Sequence, residues 1–369
     1  MQRAVLKPLL LFCISFFFLA CEAKEGTVIT PDNPHIAYIG RVSFANPESP
    51  CFTYPGVQIQ AIFEGTSIAL QMKPNSGYFM IELDDREPFK VNFTETDSIL
   101  TLAEGLPDER HKVTVTLAYE GYQRRPEFRG FILDPGKKLP IAPELPQRKI
   151  EFIGNSITCG YGNEAPDANA PFRDETSNHY YTYAAITARA FHAQSLVVAK
   201  SGIGIYRNYG GPKTGSQDCM PAMYHQTLFT DNRESWDFNR YTPDVVCINL
   251  GTNDVSTQPY DVKLLEEGYR NFLQTVRKNY PQAKIVLLTG CMLSGKALQD
   301  VQRVMNRVVK EANDSGDKAV YRFDFPPQDG NLGYGAHYHP SLAQHRKMAE
   351  ELIPFISGIM GWDNVKIRD

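Results

Sequence analysis

Residues 149–164 read KIEFIGNSITCGYGNE, and the way this stretch folds decides the architecture of the chain. The apolar run 150–153 has the length and composition of a buried strand. Gly154, Asn155 and Ser156 follow at once, and two more glycines and Cys159 come after them. Small polar residues of this kind turn the chain sharply at a strand end. Open α/β sheets take their ligands just past the carboxyl ends of their strands. Ser156 is therefore the first candidate for chemistry.

Downstream of Ser156, strand-like runs recur at 195–199, 245–250, 285–288 and 321–325. Helical patterns lie between or after them, in SNHYYTYAAITARAFHA, DVKLLEEGYRNFLQTVRKNY, KALQDVQRVMNRVVKEAND and PSLAQHRKMAEELIPFI. Five strands alternating with helices predict a parallel sheet covered on both faces, an α/β domain over 149–369. Upstream the grammar differs. Short runs such as VQIQAIFEG, SIALQMK, YFMIELDD, FKVNFTE and KVTVTLAYE alternate in polarity and are separated by Gly, Pro, Asn or Asp, which predicts an all-β sandwich over 37–135. The proline-rich stretch 136–148 reads as the linker.

The chain opens MQRAVLKPLLLFCISFFFLACEAKEG. Arg3 and Lys7 precede an apolar run over 9–20, shorter than the roughly 20 residues a membrane-spanning helix needs. This pattern reads as an export signal over 1–20. FFLAC resembles a bacterial lipoprotein signal, in which Cys21 becomes the lipidated first residue of the mature chain and 21–36 a tether. Phe18 stands where that pattern usually has Leu, and plain cleavage near Ala20 is the alternative. The expected location is the bacterial cell envelope, as a lipid-anchored periplasmic or surface protein, or otherwise secreted and soluble.

The 369 residues carry a net charge of -4, with 42% hydrophobic and 22% charged residues. That balance gives no electrostatic case for nucleic acid, which asks for a basic face. Of seven cysteines, Cys51, Cys159, Cys219, Cys247 and Cys291 lie beyond the signal, an odd set that leaves at least one unpaired. Cys247 and Cys291 sit in or beside apolar runs as small core residues. A disulfide through Cys159 or Cys219 stays open. No cysteine spacing suits a structural zinc, and no cofactor or metal is expected.

Past the second strand comes AKSGIGIYRNYGG, past the third LGTNDVS, and past the last GNLGYGAHYHPS. A serine, a glycine turn, an asparagine and a histidine thus reach one sheet edge from four strand ends. Nucleophilic acyl transfer needs such parts: a hydroxyl, a base for its proton and donors for the tetrahedral oxyanion. Taken singly, each piece has a plainer reading. GTND would cap a helix as an Asx turn, and His339 before Pro340 would mark a helix start.

Together, IGNSIT, SGIG, INLGTND and HYHPS resemble blocks I, II, III and V of the SGNH (GDSL-like) hydrolases. The phrases YYTYAAITARA, GIYRNY, WDFNRYTPDVVCINLGTND and, in the front half, YIGRVSF and VQIQAIFEGTSIAL are similar to carbohydrate esterase family 2, whose members resemble acetylxylan and acetylmannan esterases. The resemblance implies a flavodoxin-like five-stranded hydrolase domain behind a jelly-roll domain. It implies an enzyme that removes O-acetyl groups from acetylated xylan, glucomannan or their oligosaccharides. It assigns Ser156 as nucleophile and oxyanion donor, Gly204 as second donor with Gly202 as the alternative register, Asn253 as third donor and His339 as base. The family often has Asp two residues before this histidine, where the chain has His337. A Ser-His dyad held by a backbone carbonyl is the expected substitute, with Asp329 as the other candidate. Tyr338, Trp236, Tyr206 and Arg207 are expected to face substrate. The competing readings are a generic SGNH lipase or thioesterase, a deacetylase of another glycan, and a carbohydrate-binding protein with weak catalysis.

Overall fold

The computed structural model describes residues 25–122 and 124–363; the signal segment and Cys21 lie outside them. Two antiparallel sheets form the front half. One runs in the order Thr27–Ile29, Phe128–Leu133, Ile68–Met72, Ile99–Ala103, the other Ala37–Ile39, Gln58–Gly65, Glu109–Leu117, Gly77–Leu83, Phe89–Phe93. Residues 27–29, within the stretch expected as a tether, pair antiparallel with the strand Phe128–Leu133. In Ile68–Met72, buried positions alternate with half-buried ones, so every second side chain enters the space between the sheets. Phe63, Leu70, Phe79 and Phe131 meet there, all fully buried in one cluster. Fully burying one such side chain stabilises the fold by about 1.5–3 kcal/mol.

The back half is a five-stranded sheet in the order Ala193–Ala199, Arg148–Gly154, Val245–Asn249, Lys284–Thr289, Val320–Asp324, every neighbouring pair parallel. The strand Val245–Asn249 is buried at every position, which is why its sequence shows no alternation. Successive residues still point to opposite faces. Val246 and Ile248 pack in a core with the helices Val262–Asn279 and Gly295–Asp314. Cys247 packs on the other side with Tyr183–Ala190 and Leu342–Met360. The helix Val262–Asn279 starts at Asp261, whose side chain accepts the N–H groups of Lys263 and Leu264. It buries Leu265, Tyr269, Phe272, Leu273 and Val276, one stripe at helical spacing.

A hairpin of Gln226–Leu228 and Asp231–Ser235, not foreseen from the sequence, helps join the halves. Arg41 of the sandwich is wholly buried and donates to the carbonyls of Tyr224 (2.5 Å) and Gln226 (2.8 Å). Its other terminal nitrogen lies 3.5 Å from Glu151, on the first strand of the parallel sheet. Rings of Tyr54, Tyr224, Trp236 and Phe238 surround the guanidinium at 5.1–5.7 Å. Burial pushes the Glu151 carboxyl up to about 7, against the pull of Arg41 and the Tyr224 hydroxyl. All five cysteines among the described residues are free thiols.

Candidate active site

The strand Arg148–Gly154 ends in a turn built for close approach. A Cβ on Gly154 would stand 2.0 Å from the Thr158 hydroxyl, so only glycine fits. Asn155 then caps the short helix Ser156–Cys159, its side-chain oxygen accepting the Ile157 N–H at 3.0 Å. Gly160 closes that helix in the left-handed region, at φ 82°. Ser156 is thereby held at the sheet edge, 7% exposed.

His339 arrives from the loop after the last strand. Its Nε2 lies 2.8 Å from the Ser156 Oγ, and its Nδ1 lies 2.9 Å from the Ala336 carbonyl. A carbonyl oxygen can only accept, so Nδ1 carries the proton and Nε2 is free to accept the serine hydroxyl. Burial pushes the imidazole down to about 4, and the like charge of His337 adds to the effect, while the hydrogen bond to Ala336 opposes it. The ring is therefore neutral at neutral pH, as a base must be.

The carbonyl reaches the ring because the chain folds back on itself. His337 and Tyr338 both take left-handed backbone angles, φ 51° and 61°, each at a cost of roughly 1–2 kcal/mol for a residue with a Cβ. The turn is fixed by Gly335 N–H to the His339 carbonyl (2.8 Å) and His339 N–H to the Ala336 carbonyl (3.1 Å). Ser341 then caps the helix Leu342–Met360, its side chain accepting the Gln344 N–H. Tyr161, overlooked in the sequence although it lies in the GYGNE end of the opening stretch, stacks on His339 with centroids 4.2 Å apart. Its hydroxyl meets His337 Nδ1 at 2.9 Å. Asp329 does not serve His339. Its carboxylate accepts the Asn331 backbone and side-chain N–H groups, closing its own exposed turn.

The oxyanion side requires a correction. The Gly204 N–H donates to Asn208 Oδ1 at 3.1 Å, and a Cβ on Gly204 would lie 1.9 Å from the Arg207 carbonyl. Gly204 closes a tight loop and has no amide to spare. The alternative register, Gly202, sits at φ 78° facing open space, and its N–H has no partner among the described residues. The Ser156 N–H is likewise unpartnered there. Asn253 donates one side-chain N–H to the Ile203 carbonyl at 2.7 Å, which leaves the second available. Next to it, Asp254 is fully buried and accepts the backbone N–H groups of Ile205 (3.0 Å), Tyr206 (2.8 Å) and Arg207 (3.0 Å). Burial raises this carboxyl above its ordinary value, and the three amides pull it down. Its place in GTND was plain, but its loop-binding task was not, because the acceptor and donors are nearly fifty residues apart.

Three residues expected to face substrate lie in the interior instead. Trp236, 5% exposed, packs on Arg41 and on Arg240. Tyr206 takes the Asp261 N–H on its hydroxyl at 2.8 Å. Arg207, 1% exposed, donates to the carbonyls of Thr257 (2.6 Å) and Pro259 (2.9 Å). Aromatic and cationic residues near a motif are as useful for pinning loops as for binding sugars, and here they pin loops. Tyr338 does stand at the rim beside His339, 57% exposed, with its ring against Tyr334.

Residues 38–143 match the family model described as carbohydrate esterase 2 N-terminal, and residues 152–347 that of the GDSL-like lipase/acylhydrolase family. The chain belongs to carbohydrate esterase family 2. Among relatives of this family, the cellulase/esterase CelE of Acetivibrio thermocellus is 39% identical over 344 residues, covering 92% of this chain and 41% of that protein. The chain therefore spans less than half of that relative's length. An acetylxylan esterase/glucomannan deacetylase of Cellvibrio japonicus is 30% identical over 368 residues, 97% of this chain and 99% of that protein. Among solved structures, a family two carbohydrate esterase from Clostridium thermocellum in complex with cellohexaose superposes with a TM-score of 0.82 at 39% identity, over 89% of this chain and 99% of that one. A family two carbohydrate esterase from Cellvibrio japonicus gives 0.82 at 27% identity, over 92% and 99%.

Proposed function

We propose that this family 2 esterase hydrolyses O-acetyl esters on plant cell-wall polysaccharides of the acetylated xylan or glucomannan type, through a Ser-His mechanism. The observation that carries the reading is the 2.8 Å contact of Ser156 Oγ with an imidazole whose other nitrogen is held by the Ala336 carbonyl. His339 takes the Ser156 proton as the oxygen attacks the acetyl carbonyl. The N–H groups of Ser156 and Gly202 and the side-chain amide of Asn253 stabilise the resulting oxyanion. Collapse breaks the ester bond, and His339 returns the proton to the departing sugar oxygen. Water, deprotonated by the same imidazole, then attacks the acetyl-serine carbonyl; the acyl bond to Ser156 Oγ breaks, His339 returns the proton to that oxygen, and acetate is released. The substrate class follows the acetylxylan esterase/glucomannan deacetylase named among the relatives. Tyr338, exposed beside His339, would offer its ring face to a sugar.

The test is acetate release from acetylated mannan and acetylated xylan by wild type, Ser156→Ala and His339→Ala. Release by wild type with both variants at background is the expected result. An inert wild type would point instead to carbohydrate binding without turnover. Export and anchoring through Cys21 rest on the leader sequence. Cys21→Ala is expected to move the protein from the membrane to the soluble fraction of the producing cell, and an unchanged distribution would argue against the lipid.

A further inference from the structure

The loop that carries the Gly202 N–H is gripped from the other domain. Glu120 follows the sandwich strand Glu109–Leu117 and is only 6% exposed. One carboxylate oxygen accepts the Ser201 N–H at 2.7 Å, and the other accepts the Ser201 hydroxyl. The Cys159 thiol, on the helix that begins at Ser156, is buried, which raises its ionisation, and lies near enough for the charge of this carboxylate to raise it further. Ser201 directly precedes Gly202. Among the described residues Glu120 forms no ion pair. A buried carboxylate without a cation is costly, and hydrogen bonds to the charged oxygens are what make it tolerable. Both bonds are directed at Ser201, in the segment that presents the Gly202 amide.

We propose that Glu120 is a positioning residue of the oxyanion hole, so that the N-terminal domain completes the catalytic apparatus rather than merely packing beside it. The proposal rests on the Ser156 reading above. By holding Ser201 at its N–H and its hydroxyl, Glu120 anchors the residue from which the Gly202 peptide springs and so limits the swing of the Gly202 donor. A donor that swings freely stabilises the transition state less than a fixed one while leaving ground-state binding almost untouched.

The experiment compares wild type, Glu120→Ala, Glu120→Gln and Ser201→Ala on an aryl acetate, together with inhibition by a small boronic acid that forms a tetrahedral adduct on serine. Glu120→Ala is expected to lower kcat by about 10-fold or more with KM changed less than about two-fold, and to weaken boronate binding in parallel. Glu120→Gln keeps an acceptor for the Ser201 N–H and is expected to recover part of the loss, and Ser201→Ala to lose less than Glu120→Ala. A folded Glu120→Ala enzyme with wild-type kcat, or one with lowered kcat but unchanged boronate affinity, overturns the proposal. If Glu120→Ala does not fold, Glu120→Gln carries the test, with a fall of about three-fold in kcat and boronate affinity expected and wild-type values overturning it. Glu234→Gln alters a different contact between the domains, with Ser43, and is expected to leave kcat near wild type. An equal fall there would mean that docking in general, and not Glu120, is responsible, which also overturns the proposal. Turnover that survives Ser156→Ala in the same assay would sink the Ser156 reading itself, a result distinguishable from either.

Discussion

Lowering the pH from 8 to 3 while measuring kcat/KM on an aryl acetate probes the one number the site geometry sets most directly. In the proposed mechanism His339 must be neutral to accept the Ser156 proton, and burial places its ionisation at about 4, where an exposed histidine would ionise at 6.5. The group is depressed, so the active form is present above pH 4 and is lost as the pH falls through it. At pH 5.5 about 97% of the imidazole is then neutral, whereas an ordinary histidine would be about 9% neutral, a roughly ten-fold difference in rate. Among the groups facing the ring, Ser156 is uncharged, Tyr161 stacks as a neutral phenol and the like charge of His337 lowers the value, while the hydrogen bond to the Ala336 carbonyl opposes burial without outweighing it. Glu120, raised from its ordinary value by burial, is the group that could distort the acid limb, and the Glu120→Gln variant removes its titration. Rates should be taken as initial rates after brief exposure, with recovery checked at pH 7. A half-maximal pH between 6 and 7 in both proteins would refute the reasoning, because it would mean an imidazole that is solvated or paired with a carboxylate.

Asn253→Ala removes a side-chain donor and is expected to lower kcat by roughly 100- to 1000-fold with KM little changed, measured by steady-state kinetics on an acetyl ester. Asp254→Ala strips the acceptor from three buried backbone amides at a cost of about 1–3 kcal/mol each, so both Tm and kcat should fall, in a thermal melt and the same assay. Arg41→Met leaves Glu151 buried without its cation and should destabilise the chain by about 3–5 kcal/mol near pH 8. Because the folded Glu151 carboxyl is raised to about 7 even with Arg41 present, its neutral form is favoured at low pH. The loss caused by Arg41→Met should therefore shrink between pH 8 and pH 5 in denaturant titrations, and a loss independent of pH would count against a charged Glu151.

Much of this molecule can be read locally. The unbroken apolar run of Val245–Asn249 signals a strand covered on both faces, and the alternation in Ile68–Met72 signals a sheet with one face inside. Asp261 and Ser341 announce helices because a cap works within three residues of itself. The hairpin Gln226–Leu228 with Asp231–Ser235 escaped notice because its strands are short and its partners lie in the other half of the chain. Tyr206, Arg207 and Trp236 were misplaced for a related reason. Sequence shows the type of a side chain but not the distant carbonyls and rings that claim it, such as Thr257 and Pro259 for Arg207.

That a β-rich half precedes a parallel α/β half, and that Ser156, Asn253 and His339 follow separate strands of the latter, is legible in the residues alone. These are consequences of period, turn chemistry and motif order, which act over a few residues. Which glycine keeps a free amide, that Ala336 rather than Asp329 steadies His339, and that Glu120 reaches across from the other half to hold Ser201 emerge only from the folded chain. Each depends on which partner already occupies a hydrogen-bonding group and on the φ angle that aims it. The last is settled only when segments 81 residues apart, those of Glu120 and Ser201, pack against one another.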